Sequence, residues 1–139
     1  MAEVHNIGSH RTGYEDPDIL YMKLVGEVTN EEVRAINRVH LEYGQERGRL
    51  FYLIDLSELD NLPAQVRREA SETVKILPLR GTAIFGAPLK AKVLAKLLMT
   101  AVNMFKGGRN QNPVEFTDTE QEARVWLERR RREVEAGAA

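Results

Sequence analysis

The sequence predicts an α/β fold: a mostly parallel sheet with an N-terminal antiparallel edge hairpin and four helices, in the order β-β-α-β-α-β-α-β-α, forming one domain over residues 1–139. Three observations lead there. Leu50-Phe51-Tyr52-Leu53-Ile54-Asp55-Leu56 is a short apolar and aromatic run bounded by Gly48 and Pro63, the pattern of a strand covered on both faces. Further short runs of this kind alternate with stretches of helical spacing, as parallel strands joined by helical crossovers require. The length of 139 residues, with 42% hydrophobic and 29% charged residues, suits one ordinary globular domain.

In chain order, Val4–Arg11 is a strand candidate, followed by a turn over Gly13–Asp18 where Glu15, Asp16, Pro17 and Asp18 cluster. Ile19–Val25 is the second strand and closes the hairpin. Thr29 with Glu32 three residues later forms a capping box, and Val33, Ile36, His40 and Tyr43 recur at helical spacing, so a helix is expected over 30–43 with Gly44 as its stop. The strand 50–56 follows. Pro63 opens a second helix with the face Val66, Ala70, Val74 and Leu77, and Pro78 stops it. Thr82–Gly86 is a short buried strand. Pro88 opens a third helix through about Phe105, ending at Gly107-Gly108. Pro113–Thr117 is the last strand, and Thr117 or Asp118 caps a final helix whose inner face holds Ala123, Trp126, Leu127 and Val134.

The absence of cysteine excludes disulfides, thiol catalysis and cysteine-held metal clusters. The N-terminal residues lack the basic segment and apolar core of a signal peptide, and no apolar run reaches the ~20 residues of a membrane span. A soluble, cytoplasmic protein is expected, peripheral to a membrane at most. The net charge of −1 hides an uneven distribution. Residues 1–63 hold six Lys/Arg against twelve Asp/Glu, whereas residues 88–110 carry Lys90, Lys92, Lys96, Lys106 and Arg109 with no acid.

The element order, together with Leu53-Ile54-Asp55-Leu56-Ser57 and the final Ala123-Arg124-Val125-Trp126-Leu127, resembles the STAS family over nearly the whole chain, specifically its SpoIIAA-like branch and the stand-alone bacterial members compared in fold with CRAL-TRIO lipid-transfer domains. The resemblance implies a non-enzymatic interaction or regulatory domain. Phospho-regulated relatives carry a second Asp-Ser-Ser-Gly or Asp-Thr-Ser-Gly motif at the next helix start. Here that stretch is Asp60-Asn61-Leu62-Pro63-Ala64-Gln65, with no hydroxyl, so phosphorylation is not expected and Ser57 is only a weak candidate.

Leu53-Ile54-Asp55-Leu56 also resembles the phosphoacceptor strand of a receiver domain, but the acidic pair after the first parallel strand and the lysine after the last are missing. Asp55 and Ser57 are therefore expected to organise the strand-end loop. His5, His10 and His40 lack metal-site spacing, no phosphate-cradling glycine loop opens a helix, and no nucleophile-elbow pattern is present. No catalytic residue, cofactor or metal is expected. The run Arg129–Arg132 lies among Glu128, Glu133 and Glu135 and reads as a solvated helix end, which makes a nucleic-acid partner unlikely.

The third helix is the expected interaction element. Leu89, Val93 and Leu97 form one stripe, while Leu94, Leu98, Val102 and Phe105 carry apolar surface round the cylinder beside Lys90, Lys92, Lys96, Lys106 and Arg109. Its partner is expected to be an acidic protein surface, a second copy of the chain, or an anionic membrane. The alternative role is that of carrier or sensor of a small apolar or lipid-like ligand held between helix and sheet.

Overall fold

The computed structural model describes residues 3–103 and 111–137. Its elements run β1 (Glu3–Ile7), β2 (His10–Glu15), β3 (Ile19–Glu27), α1 (Asn30–Glu46), β4 (Leu50–Asn61), α2 (Ala64–Ile76), β5 (Leu79–Phe85), α3 (Leu89–Asn103), β6 (Val114–Thr117) and α4 (Glu120–Glu135). The described strands form one six-stranded sheet in the order β1-β2-β3-β4-β5-β6. Pairing is antiparallel from β1 to β3 and parallel from β3 to β6.

Crossovers that step one way across a sheet and share one hand place their helices on one face. Accordingly α1, α2 and α3 pack side by side on one side of the sheet, and α4 packs against β5 and β6 on the other. The apolar run of β4 serves both layers. Leu50, Tyr52 and Ile54 point into the core beneath α1–α3, while Phe51 and Leu53 pack with Ile19, Tyr21, Ala83 and Phe85 against Ala123 and Leu127 of α4. A strand buried on both faces leaves no position for the polar half of an alternating pattern.

Several expectations need correction. The N-terminal hairpin is a three-stranded meander: Gly8, at φ +60°, turns the chain within the stretch expected to be one strand, and β2 continues through Gly13 and Tyr14 to Glu15. Glycine reaches this left-handed region without steric cost. The helix α1 does not stop at Gly44 but runs to Glu46. Gly44 is a packing site instead, since a β-carbon there would lie 2.7 Å from Leu77 Cδ2. The expected capping box is formed: Thr29 N–H donates to Glu32 Oε1 at 2.9 Å, and Glu32 N–H donates to Thr29 Oγ1 at 3.2 Å.

The strand β4 passes its expected end at Leu56 and reaches Asn61, and β5 starts at Leu79 rather than Thr82. The helix α4 is capped by Thr119, whose Oγ1 accepts from Glu122 N–H at 3.2 Å, not by Thr117 or Asp118. The arginine run is not all solvated either. Arg130 is buried and its Nε–H donates to the Arg80 carbonyl at 2.6 Å. Arg131 turns inward to Asp18, with Nη2–Oδ1 at 2.6 Å and Nε–Oδ2 at 3.1 Å, and Arg49 closes on Asp18 Oδ2 at 2.9 Å.

Candidate functional site

Asp55 and Ser57 do not end their strand. They form a β-bulge within β4: Lys23 pairs with Asp55 and Val25 with Glu58, so β4 contributes an extra residue against β3. Asp55 Oδ1 accepts from the Ser57 N–H at 2.9 Å and from Ser57 Oγ–H at 2.7 Å, which fixes the turn of the bulge. Lys23 Nζ stands 4.0 Å from Asp55 Oδ2 and 2.6 Å from Glu58 Oε2. Asp55 thus ties down backbone and Ser57 ties down Asp55, in the strand and not in a strand-end loop. The acids of the receiver comparison lie elsewhere. Glu15 is held by Arg124 at 2.6 Å, and Asp18 sits next to the Ile19–Phe51 pair, toward the opposite end of the ladder from Asp55.

The helix α3 resolves into two faces. Ala91, Ala95 and Met99 are buried, with Leu94 and Leu98 half-buried beside them. The outward stripe is Leu89, Val93 and Leu97, which are 78%, 50% and 55% exposed. Lys90 and Lys96 are exposed and Lys92 is half-buried; Lys96 Nζ lies 5.4 Å from the centre of the Phe116 ring. Val102 falls in the last turn of α3, and Phe105, Lys106 and Arg109 lie outside the described residues, as does the expected stop at Gly107-Gly108.

Beneath α3 is a cavity of about 90 Å³ between α1–α3 and the sheet. Ile54 and Ile84 come from the sheet, Val33 and Ile36 from α1, and Leu98 and Met99 from α3. Leu98 is therefore a wall of this cavity, while Leu94 packs on the neighbouring core. Composition predicted the apolar helix but not the cavity, because a void is set by how side chains from six elements meet.

The polar groups at this cavity are His40, Tyr52 and Asn37. The hydrogen-bond directions around His40 follow from the partners. Thr12 Oγ–H must donate to the Tyr21 carbonyl, 2.7 Å away, because a carbonyl only accepts. Thr12 Oγ1 therefore accepts from His40 Nε2–H at 2.8 Å. His40 Nδ1 is then unprotonated and accepts from Tyr52 O–H at 2.8 Å. Complete burial lowers the His40 pKa to about 3, with electrostatic repulsion from the neighbouring His5 ring a lesser cause, so the imidazole is neutral; burial raises that of Tyr52. His10 is likewise committed, its Nδ1 accepting from Val25 N–H at 3.0 Å and its Nε2 bonded to Glu32 Oε1 at 2.9 Å. His40 was legible in the sequence as a polar member of an apolar stripe. Thr12 and Tyr52 were not, since nothing local marks them as its partners.

No family model matches the sequence. No curated protein matches it either. Among solved structures, the fold is similar to that of an uncharacterised protein of the DUF3478 family, with a SpoIIAA-like fold, from Shewanella loihica PV-4. The two are 23% identical, with a TM-score of 0.61 over 88% of this chain and 97% of the other. With its antiparallel β1–β3, parallel β3–β6 and four helices, the chain has a SpoIIAA-like α/β fold.

Proposed function

We propose that this domain is a binding protein rather than an enzyme, that it carries or senses a small apolar ligand in the cavity beneath α3, and that α3 brings it to an anionic membrane surface. One observation carries the reading: the helix that roofs the apolar cavity also presents Leu89, Val93 and Leu97 outward beside Lys90, Lys92 and Lys96. Apolar side chains flanked by lysines are the composition of an interfacial helix. Each basic side chain reaching an anionic leaflet contributes about 1 kcal/mol, and inserting Leu and Val side chains adds to it. The polar groups with the chemistry for catalysis, Asp55, Ser57, His10 and His40, are bonded to structural partners. Among the described residues no helix is long and apolar enough to cross a membrane, so attachment through α3 would be peripheral.

Native mass spectrometry of protein purified from its source organism tests the ligand. An apolar adduct is expected on the wild-type protein and is expected to disappear in Ala70→Leu, which fills the cavity wall; bare protein, or a protein partner in place of the adduct, would overturn the carrier reading. Flotation with phosphatidylglycerol vesicles tests the surface. Binding should weaken as salt rises and be lost on the double change Lys92→Glu and Lys96→Glu; binding indifferent to both would remove the membrane from the proposal.

A further inference from the structure

The hydrogen-bond directions at the cavity select among apolar ligands, an inference that rests on the cavity being a ligand site. Tyr52 has one hydrogen to donate, and His40 Nδ1 takes it. His40 Nε2–H is taken by Thr12, and the Thr12 hydrogen by Tyr21. The Tyr52 oxygen thus keeps a lone pair and no hydrogen, so this end of the cavity can accept a hydrogen bond but cannot give one. Asn37 gives one Nδ2–H to the Glu69 carbonyl at 3.3 Å, and its second N–H is a neutral donor that brings no counter-charge. Among the described residues, neither lysine nor arginine lines the cavity.

From these groups we infer that the cavity takes the hydroxyl end of a neutral apolar alcohol, which donates its hydrogen to Tyr52 Oη, and that it rejects the carboxylate of a fatty acid. A carboxylate would meet the Tyr52 lone pair, with one neutral amide N–H at most to receive it, and would be buried without a counter-charge. An alcohol satisfies the Tyr52 acceptor and can leave its own oxygen with lone pairs, the less costly omission. The size of the cavity limits what enters: about 90 Å³, against ~150 Å³ for an engineered cavity that admits benzene, suits a chain end of about four carbons.

The test compares 1-butanol, methyl propyl ether and butyrate by NMR titration of the full chain at neutral pH. The first two share one formula and differ in having a hydrogen to donate. Expected are shifts at His40 and Tyr52 with 1-butanol, affinity for it about fivefold above the ether, and none for butyrate. In Tyr52→Phe the lone pair of His40 Nδ1 is freed in its place and the alcohol should still exceed the ether, whereas in the double change Tyr52→Phe and His40→Leu it should fall to the level of the ether. Equal affinity of alcohol and ether in the wild-type protein, or binding of butyrate at the cavity, would overturn the selectivity while leaving the cavity a ligand site. Absence of shifts at the cavity with both neutral probes would sink the ligand reading together with it.

Discussion

Asp18→Ala is expected to destabilise the protein by about 3 kcal/mol, seen as a lower midpoint in urea at pH 7. Asp18 is 3% exposed and is held between Arg131 and Arg49, which belong to different layers of the molecule. Removing the carboxylate leaves two guanidinium groups facing each other near the surface of the core, with Phe51 beneath both at 5.6 and 5.7 Å. Because the arginines are partly exposed, with side chains 29% and 14% accessible, the lower end of the range for broken buried pairs applies. Arg131→Ala should cost a comparable amount. Arg132→Ala, one residue further on and 75% exposed in its side chain, should change stability by less than about 0.5 kcal/mol. Equal, small effects at all three positions would mean that the run is a solvated helix end after all.

Acidification is expected to act through His40. In the folded protein its pKa is about 3, because burial opposes the charged ring; in the unfolded chain it is near the model-peptide value of about 6.5. Below pH 6.5 the unfolded chain therefore binds a proton that the folded protein does not. Stability contributed by this difference is complete above pH 6.5 and is lost as pH falls toward 3, at about 1.4 kcal/mol per pH unit. Between pH 6.5 and 5 the loss is about 2 kcal/mol. Urea denaturation of the wild-type protein and of His40→Leu at pH 7.5 and 5.0 isolates it. The variant starts less stable, since Tyr52 loses its acceptor, but its stability should vary less over that interval. Parallel pH dependence in the two proteins would show that His40 protonates freely in the folded state.

The fold was legible wherever one segment carried its own evidence. The apolar run at 50–56, the Thr29–Glu32 capping box and the spacing of Val33, Ile36, His40 and Tyr43 act locally, and each element begins where they place it. What could not be read depends on distant partners. Gly44 has the local signature of a helix stop, yet α1 continues because Leu77 packs against it, thirty-three positions later in the chain. The far part of β4 looks like a polar loop, but pairing with β3 across the bulge at Asp55–Ser57 keeps it extended. The arginine run illustrates the same limit: four identical side chains meet different environments because the helix turns two of them toward Arg80 and Asp18.

For the candidate site, the apolar and basic character of α3 was visible from composition, and the assignment of Leu94 and Leu98 to the inner side, with Leu89, Val93 and Leu97 outside, required the sheet beneath it. Helical spacing gives the faces of a cylinder but not which one is covered. The polar end of the cavity was less accessible still, since Thr12, His40 and Tyr52 come from three elements and meet only in the folded chain.

The order of strands across the sheet has a consequence for biosynthesis. Each strand lies beside the one made before it, so the layer over α1–α3 can grow by successive addition as the polypeptide emerges. The opposite layer has no such help. Phe51, Leu53, Ala83 and Phe85 await α4, the last element in sequence, and at ~5–20 residues per second the ribosome needs about 3–10 s to travel from β5 to the end of that helix. During those seconds a nascent chain carries a bare apolar sheet face, which makes it a client for whatever shields such surfaces until residues 120–135 arrive.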